Sequence, residues 1–212
     1  VIRAHGRLNA VFHTAGVLQD QFIAQKHPDD FARVLAPKVQ GTLNLDAATA
    51  DLDLDAFVTF GSASSIWGSA GQTDYAAANG FLDAFAAHRN SRVADQARYG
   101  ASENVAWPPW RDGGMQMQDH ARDMMRRSTG LGVLDTDTAL DLLETAMISA
   151  APQQLVMVGE AHRLQEWLNP TRHPSASEAP PPQAKIDPAA QPGRRQDAEE
   201  HLMQHVMDQT TS

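Results

Sequence analysis

The stretch from Ala56 to Asn79 constrains this chain more than any other. Ala56-Phe57-Val58-Thr59-Phe60 is apolar and β-rich, and its length suits a buried strand. A loop rich in glycine and serine follows, from Gly61 to Gly71. From Asp74 to Asn90 the chain is rich in alanine and free of proline, which predicts a helix. Ser62 therefore leaves a strand end, and Tyr75 sits in the first turn of the next helix. In open α/β sheets the chemistry gathers at such strand ends. Tyr75 follows Ser62 by 13 residues, and Asn79 follows Tyr75 by 4, which puts the last two on one helix face.

The rest of the chain predicts the other parts of such a fold. Asn9-Ala10-Val11-Phe12-His13 reads as a buried strand running into Thr14-Ala15-Gly16-Val17, where Gly16 allows close approach of a neighbour. His13 reads as a core-edge residue. Pro28 suits the first position of a helix, with Asp29 and Asp30 in its first turn. Pro37 predicts a kink or a restart, after which the helix carries Lys38 and runs to about Asp51. Residues 90–103 read as a loop. Asn104-Val105-Ala106-Trp107 reads as a strand ended by Pro108-Pro109, and His120 to Arg127 as a lid helix. A helix capped by Asp135 or Thr136 precedes a last buried strand, Leu155-Val156-Met157-Val158. The expected architecture is a three-layer, Rossmann-like α/β fold. Its mostly parallel sheet buries Phe12, Val58, Phe60, Val105, Val156 and Val158.

Composition narrows the functional classes. Of 212 residues, 26 are acidic and 17 are Lys or Arg, a net charge of −9, which argues against a nucleic-acid partner. No apolar run approaches about 18 residues, so no membrane span is expected. Neither is a signal peptide, and a cytoplasmic location follows as an expectation. There are no cysteines, hence no thiolate chemistry. Nine histidines raise the question of a metal, but only His201 and His205 pair at helical spacing, without the glutamate of a zinc motif. No metal site is expected. Residues 169–197 are rich in Pro and Ala and read as a linker, and 198–212 as a short helix leading to a further domain.

Gly71-Gln72-Thr73-Asp74-Tyr75-Ala76-Ala77-Ala78-Asn79, together with Leu35-Ala36-Pro37-Lys38-Val39-Gln40-Gly41, resembles the ketoreductase domains of modular polyketide synthases. These are a branch of the short-chain dehydrogenase/reductases in which the lysine and asparagine positions are exchanged. The resemblance spans about residues 7–168, so residues 1–168 are expected to form the C-terminal portion of such a catalytic domain. It implies Lys38, Ser62, Tyr75 and Asn79 as catalytic residues. It implies NADPH as cofactor, contacted by Ala15, Gly16, Lys38 and Tyr75. The implied substrate is a β-ketoacyl thioester tethered by phosphopantetheine to an acyl carrier protein. No Gly-x-Gly-x-x-Gly turn for the cofactor pyrophosphate occurs in the sequence, so a missing N-terminal half of the same domain is expected as a partner. Other readings are a split-module fragment acting as a scaffold, or a free-standing reductase of a small ketone. The exchanged Lys38 and Asn79 count against the second.

The family's markers of product handedness conflict here. Leu18-Gln19-Asp20 keeps one aspartate of the loop signature that accompanies a D-hydroxyl product. Trp67 stands eight residues before Tyr75, where a tryptophan accompanies the L-hydroxyl product. Asp20, Trp67 and Met115 are thus the candidates for substrate placement, and the retained aspartate favours the D-hydroxyl product.

Overall fold

The computed structural model describes residues 2–168 apart from 116, 118 and 150. The predicted linker and terminal helix, 169–212, lie outside the described residues.

In chain order the elements are α1 (Ile2–His5), β1 (Ala10–His13), α2 (Pro28–Ala48), β2 (Ala56–Ser62), α3 (Ser64–Trp67), α4 (Thr73–Ala94), β3 (Ala101–Trp107), α5 (Asp119–Thr129), α6 (Thr136–Ser149), β4 (Gln153–Leu155) and α7 (Ala161–Leu168). The four strands form one parallel sheet in the order β1-β2-β3-β4. Parallel neighbours need crossovers, and helices α2, α4 and α6 supply them. The pleat separates the two faces. Phe57 and Val11 point to one side, where Leu54 and Phe85 of α4 close a core. Val105 and Trp107 point to the other, against Ala139 and Ala146 of α6 and Leu134. The helices thus lie on both faces of the sheet.

Helix α2 starts as its sequence dictates. Pro28 occupies the first turn, the His27 ring accepts the Asp29 backbone N–H at 3.3 Å, and two carboxylates face the positive end of the helix. Pro37 does not restart it: residues 28–48 are one continuous helix. The Pro37 carbonyl bonds the His13 ring of β1 at 2.9 Å, a contact that ties α2 to the sheet. Gly41 makes room for that ring, since a Cβ there would lie 3.3 Å from His13 Cε1. Burial lowers the His13 pKa, so the neutral ring donates from Nε2 to Pro37.

Several sequence expectations need correction. Phe12 is 46% exposed, although its neighbour in register, Val58, is fully buried. Both lie on the face that α6 covers, but α6 packs over β3, and β1 is the sheet's edge among the described residues. The last strand lies earlier than expected, at Gln153–Leu155, so Val156 and Val158 are only partly buried and pack against the α6 core from beyond the strand. Phe60 is likewise partly buried. The segment 90–103 is mostly regular: α4 continues to Ala94 and β3 begins at Ala101.

Candidate active site

Ser62 is the last residue of β2, and its side chain emerges at the C-terminal edge of the sheet. Its hydroxyl oxygen accepts hydrogen bonds from the Ser64 backbone N–H at 3.2 Å and the Ser64 hydroxyl at 3.0 Å. Gly61, just before it, has a steric cause: a Cβ there would lie 2.6 Å from the Asn104 side-chain nitrogen on β3. Asn104 is itself fully buried, donating to Asp83 of α4 at 2.5 Å and accepting from Thr59 at 2.9 Å. The residue that presents Ser62 is thus locked between two strands and a helix.

Tyr75 lies in the first turn of α4. Asn79, one turn on and fully buried, donates to the Tyr75 carbonyl at 2.7 Å. Its own oxygen, Asn79 Oδ1, is buried and receives no hydrogen bond from the described residues. Burial pushes the Tyr75 phenol above its ordinary pKa; the polar side chains of Asn79 and Ser62 pull it back in part, and the charge of Asp20 pushes it up. Tyr75 therefore remains a protonated phenol through the neutral range, a proton donor rather than a phenolate.

Lys38 comes from the middle of α2 and is 3% exposed. Its ammonium donates to the Phe60 carbonyl of β2 at 2.7 Å and lies 5.7 Å from the centre of the Tyr75 ring. Burial lowers its pKa to about 8. Gly16, in the turn after β1, lies against it: a Cβ at Gly16 would sit 3.1 Å from Lys38 Cε and 3.0 Å from Met115 Cε. Met115 in turn places its sulfur 3.5 Å from the Tyr75 hydroxyl. Lys38, Ser62, Tyr75, Asn79, Gly16 and Met115 therefore share one site at the carboxyl ends of β1 and β2.

The remaining candidates border it. Asp20 is exposed and accepts from Gln72 at 2.9 Å, which links the loop after β1 to the loop before Tyr75. Trp67 ends the short helix α3, between Ser62 and Tyr75 in sequence. Ala15 is exposed beside Gly16. Sequence reasoning missed Asp74 and Lys26, whose side chains are 1% and 2% exposed and meet at 2.5 Å. The only signal was an acid directly before the tyrosine, and its cation is 48 residues away.

The residues present fit a nicotinamide cofactor. The Gly16 cradle would be filled by any side chain, Lys38 keeps protons to spare for ribose hydroxyls, and Asn79 Oδ1 is a buried acceptor in need of a donor. A parallel sheet with a serine at a strand end and a tyrosine in the next helix defines a reductase-type α/β domain of the short-chain class. A family model, that of the KR domain, matches residues 1–112, and the chain belongs to that family.

Among curated relatives, it is 41% identical over 169 residues to the polyketide synthase PksL of Bacillus subtilis (strain 168), covering 80% of this chain. It is 36% identical over 205 residues to PksN of the same organism, covering 97% of this chain. The chain spans about 4% of the length of each of these relatives. Among solved structures, a ketoreductase domain from the bacillaene assembly line superposes with a TM-score of 0.77 at 40% identity, over 79% of this chain and 40% of that one. The first ketoreductase of the tylosin polyketide synthase superposes with a TM-score of 0.66 at 39% identity, over 76% of this chain and 34% of that one.

Proposed function

We propose that this domain reduces a β-ketoacyl thioester, carried on an acyl carrier protein, to the β-hydroxyacyl thioester during polyketide assembly, with NADPH as the reductant. The observation that carries this reading is the meeting of a protonated phenol, Tyr75, with the Ser62 hydroxyl and the Lys38 ammonium at one strand end. As hydride adds to a ketone, charge builds on the carbonyl oxygen and must be met by a proton. Ser62 donates a hydrogen bond to that oxygen and orients it. Tyr75 gives up its proton to the forming alkoxide. Lys38 lowers the cost of the phenolate left behind and holds the cofactor ribose. Asn79 holds the Tyr75 turn through its bond to the carbonyl. The bound nicotinamide supplies the hydride.

Asp20 and Trp67 border the entry for the substrate arm in this reading, and the retained Asp20 favours the D-hydroxyl product. Partners follow from the same reading. The acyl carrier protein delivers the thioester. The first half of the same domain adds its strands beside β1, whose outer edge carries no strand among the described residues. The location is the cytoplasm. Among the described residues no helix is long and apolar enough to cross a membrane.

The test is a reduction assay with the complete ketoreductase, a β-ketoacyl thioester and either NADPH or NADH. Oxidation of NADPH coupled to a β-hydroxyacyl product is the expected outcome. Cofactor binding without turnover would favour a scaffold instead.

A further inference from the structure

The loop from Gln19 to Lys26 does not stay in place by burying apolar surface. Its two large apolar side chains, Phe22 and Ile23, are each 66% exposed. Polar contacts hold it instead: Arg33 of α2 donates to the Gln19 side chain at 3.3 Å, and three further contacts reach the segment that leads into Tyr75. Gln21 donates its backbone N–H to the Gly71 carbonyl at 2.9 Å, and Gln72 donates to Asp20 at 2.9 Å. Gly71 adopts φ +79°, a left-handed turn that glycine allows without strain, and its Cα side faces the Gln21 backbone, which a Cβ there would touch at 3.4 Å. The third contact is the buried one. Lys26 Nζ donates to the Gln19 carbonyl at 2.8 Å, closing its own loop, and lies 2.5 Å from Asp74 Oδ2. Asp74 Oδ1 accepts the Tyr75 backbone N–H at 2.9 Å.

A buried ion pair brings little net stability, because desolvation of both charges offsets their attraction. What it does bring is a fixed geometry, since neither charge can leave its partner without remaining alone in the protein interior. We propose that the Lys26–Asp74 pair is a positioning element of the reaction: it sets the distance between the Asp20 loop and Tyr75, and so which face of the ketone meets the hydride. Lys26 and Asp74 do not touch the reacting atoms. They act through the loop on one side and through the Tyr75 backbone on the other. The inference rests on the reductase reading given above.

The test uses the complete ketoreductase loaded with NADPH and a 3-oxopentanoyl thioester, with chiral chromatography of the product. In K26M/D74N both charges are removed together, and the amide oxygen keeps an acceptor for the Tyr75 N–H. The expected result is a fall of about tenfold in the ratio of the two hydroxyl epimers and in kcat, with the KM for NADPH unchanged. K26M alone, which leaves a lone buried carboxylate, should lose more kcat than the double variant. A double variant with the parent's epimer ratio and kcat, and only a lower melting temperature, would reduce the pair to a fold contact and overturn the proposal. Should that variant fail to fold, Lys26→Met alone breaks the same pair, and an unchanged epimer ratio there overturns it equally. A parent enzyme that reduces no thioester would refute the reductase reading itself, whereas an active parent with indifferent variants refutes only the clamp.

Discussion

Two buried cations sit at opposite ends of this sheet, and they are treated in opposite ways. Arg89, near the C-terminal end of α4, is 1% exposed. It donates to Asp46 at 2.8 Å, to Ser102 at 2.7 Å and to the carbonyls of Tyr99 and Gly100, and it lies over the Phe57 ring at 4.6 Å. Arg98 adds a second cation on Asp46. Burial raises the Asp46 carboxyl, but the bonds from Arg98 and Arg89 outweigh it and hold the group below its ordinary pKa. Lys38, near the carboxyl ends of the strands, has among the described residues a single hydrogen bond, to the Phe60 carbonyl, and no carboxylate. Its pKa falls to about 8. A guanidinium with a full set of partners belongs to the architecture. An ammonium buried beside a phenol with protons to spare is left open for a ligand in the function proposed above.

That contrast can be broken first through stability. Arg89→Met leaves Asp46 partly uncompensated and the Tyr99 and Gly100 carbonyls without their donor, so it should cost about 3–5 kcal/mol in urea unfolding. Lys38→Met removes a charge that the fold compensates poorly, so it should hold or raise stability at neutral pH while abolishing turnover. A Lys38 variant that unfolds as readily as the Arg89 variant would erase the distinction between the two cations.

The pH dependence sharpens it. The Lys38 pKa is about 8 when folded and higher when unfolded, so between about pH 8 and about pH 10.5 the unfolded chain binds more protons and stability rises with pH. Over that window the parent should gain roughly 3 kcal/mol on Lys38→Met, read as the difference between their urea midpoints. A constant difference would mean that Lys38 keeps its ordinary pKa.

Overpacking probes how Ser62 is held. Gly61→Ala forces a Cβ into the space of the Asn104 side chain, which is fixed by Asp83 and Thr59, and should cost about 1–3 kcal/mol while shifting Ser62. Turnover should fall more than stability predicts. A smaller effect is expected on the pH profile of the parent. Reduction needs Lys38 charged and Tyr75 protonated, so kcat/KM should decline about tenfold per pH unit above about 8.

The strand-end side of this comparison, where the proposed catalytic residues meet, was more legible in the sequence than the architectural side. Ser62, Tyr75 and Asn79 lie within one strand-loop-helix unit, where spacing translates directly into geometry. Lys38 was legible only through its surrounding motif, since a lysine on a helix otherwise reads as solvated. Arg89 gave no such signal. It stands in a charged, polar helix end, and its partners Asp46 and Ser102 lie 43 and 13 residues away. Lys26 and Asp74 were hidden for the same reason. Phe12 failed differently: an apolar run predicts a strand but says nothing of how far the covering helix reaches. The last strand was placed two residues late because Val156 and Val158 are apolar for their contact with the α6 core, whereas the ladder to β3 uses Gln153, Gln154 and Leu155.

In the proposed reaction Tyr75 gives the proton. The most direct measurement is single-turnover reduction of a β-ketoacyl thioester by the complete ketoreductase with Tyr75→Phe, at saturating NADPH. The phenylalanine keeps the ring beside Lys38 and removes only the hydroxyl, so cofactor affinity should persist while the rate of the chemical step falls about 10²-fold or more. A variant that binds NADPH and reduces the thioester at close to the parent's rate would contradict the account.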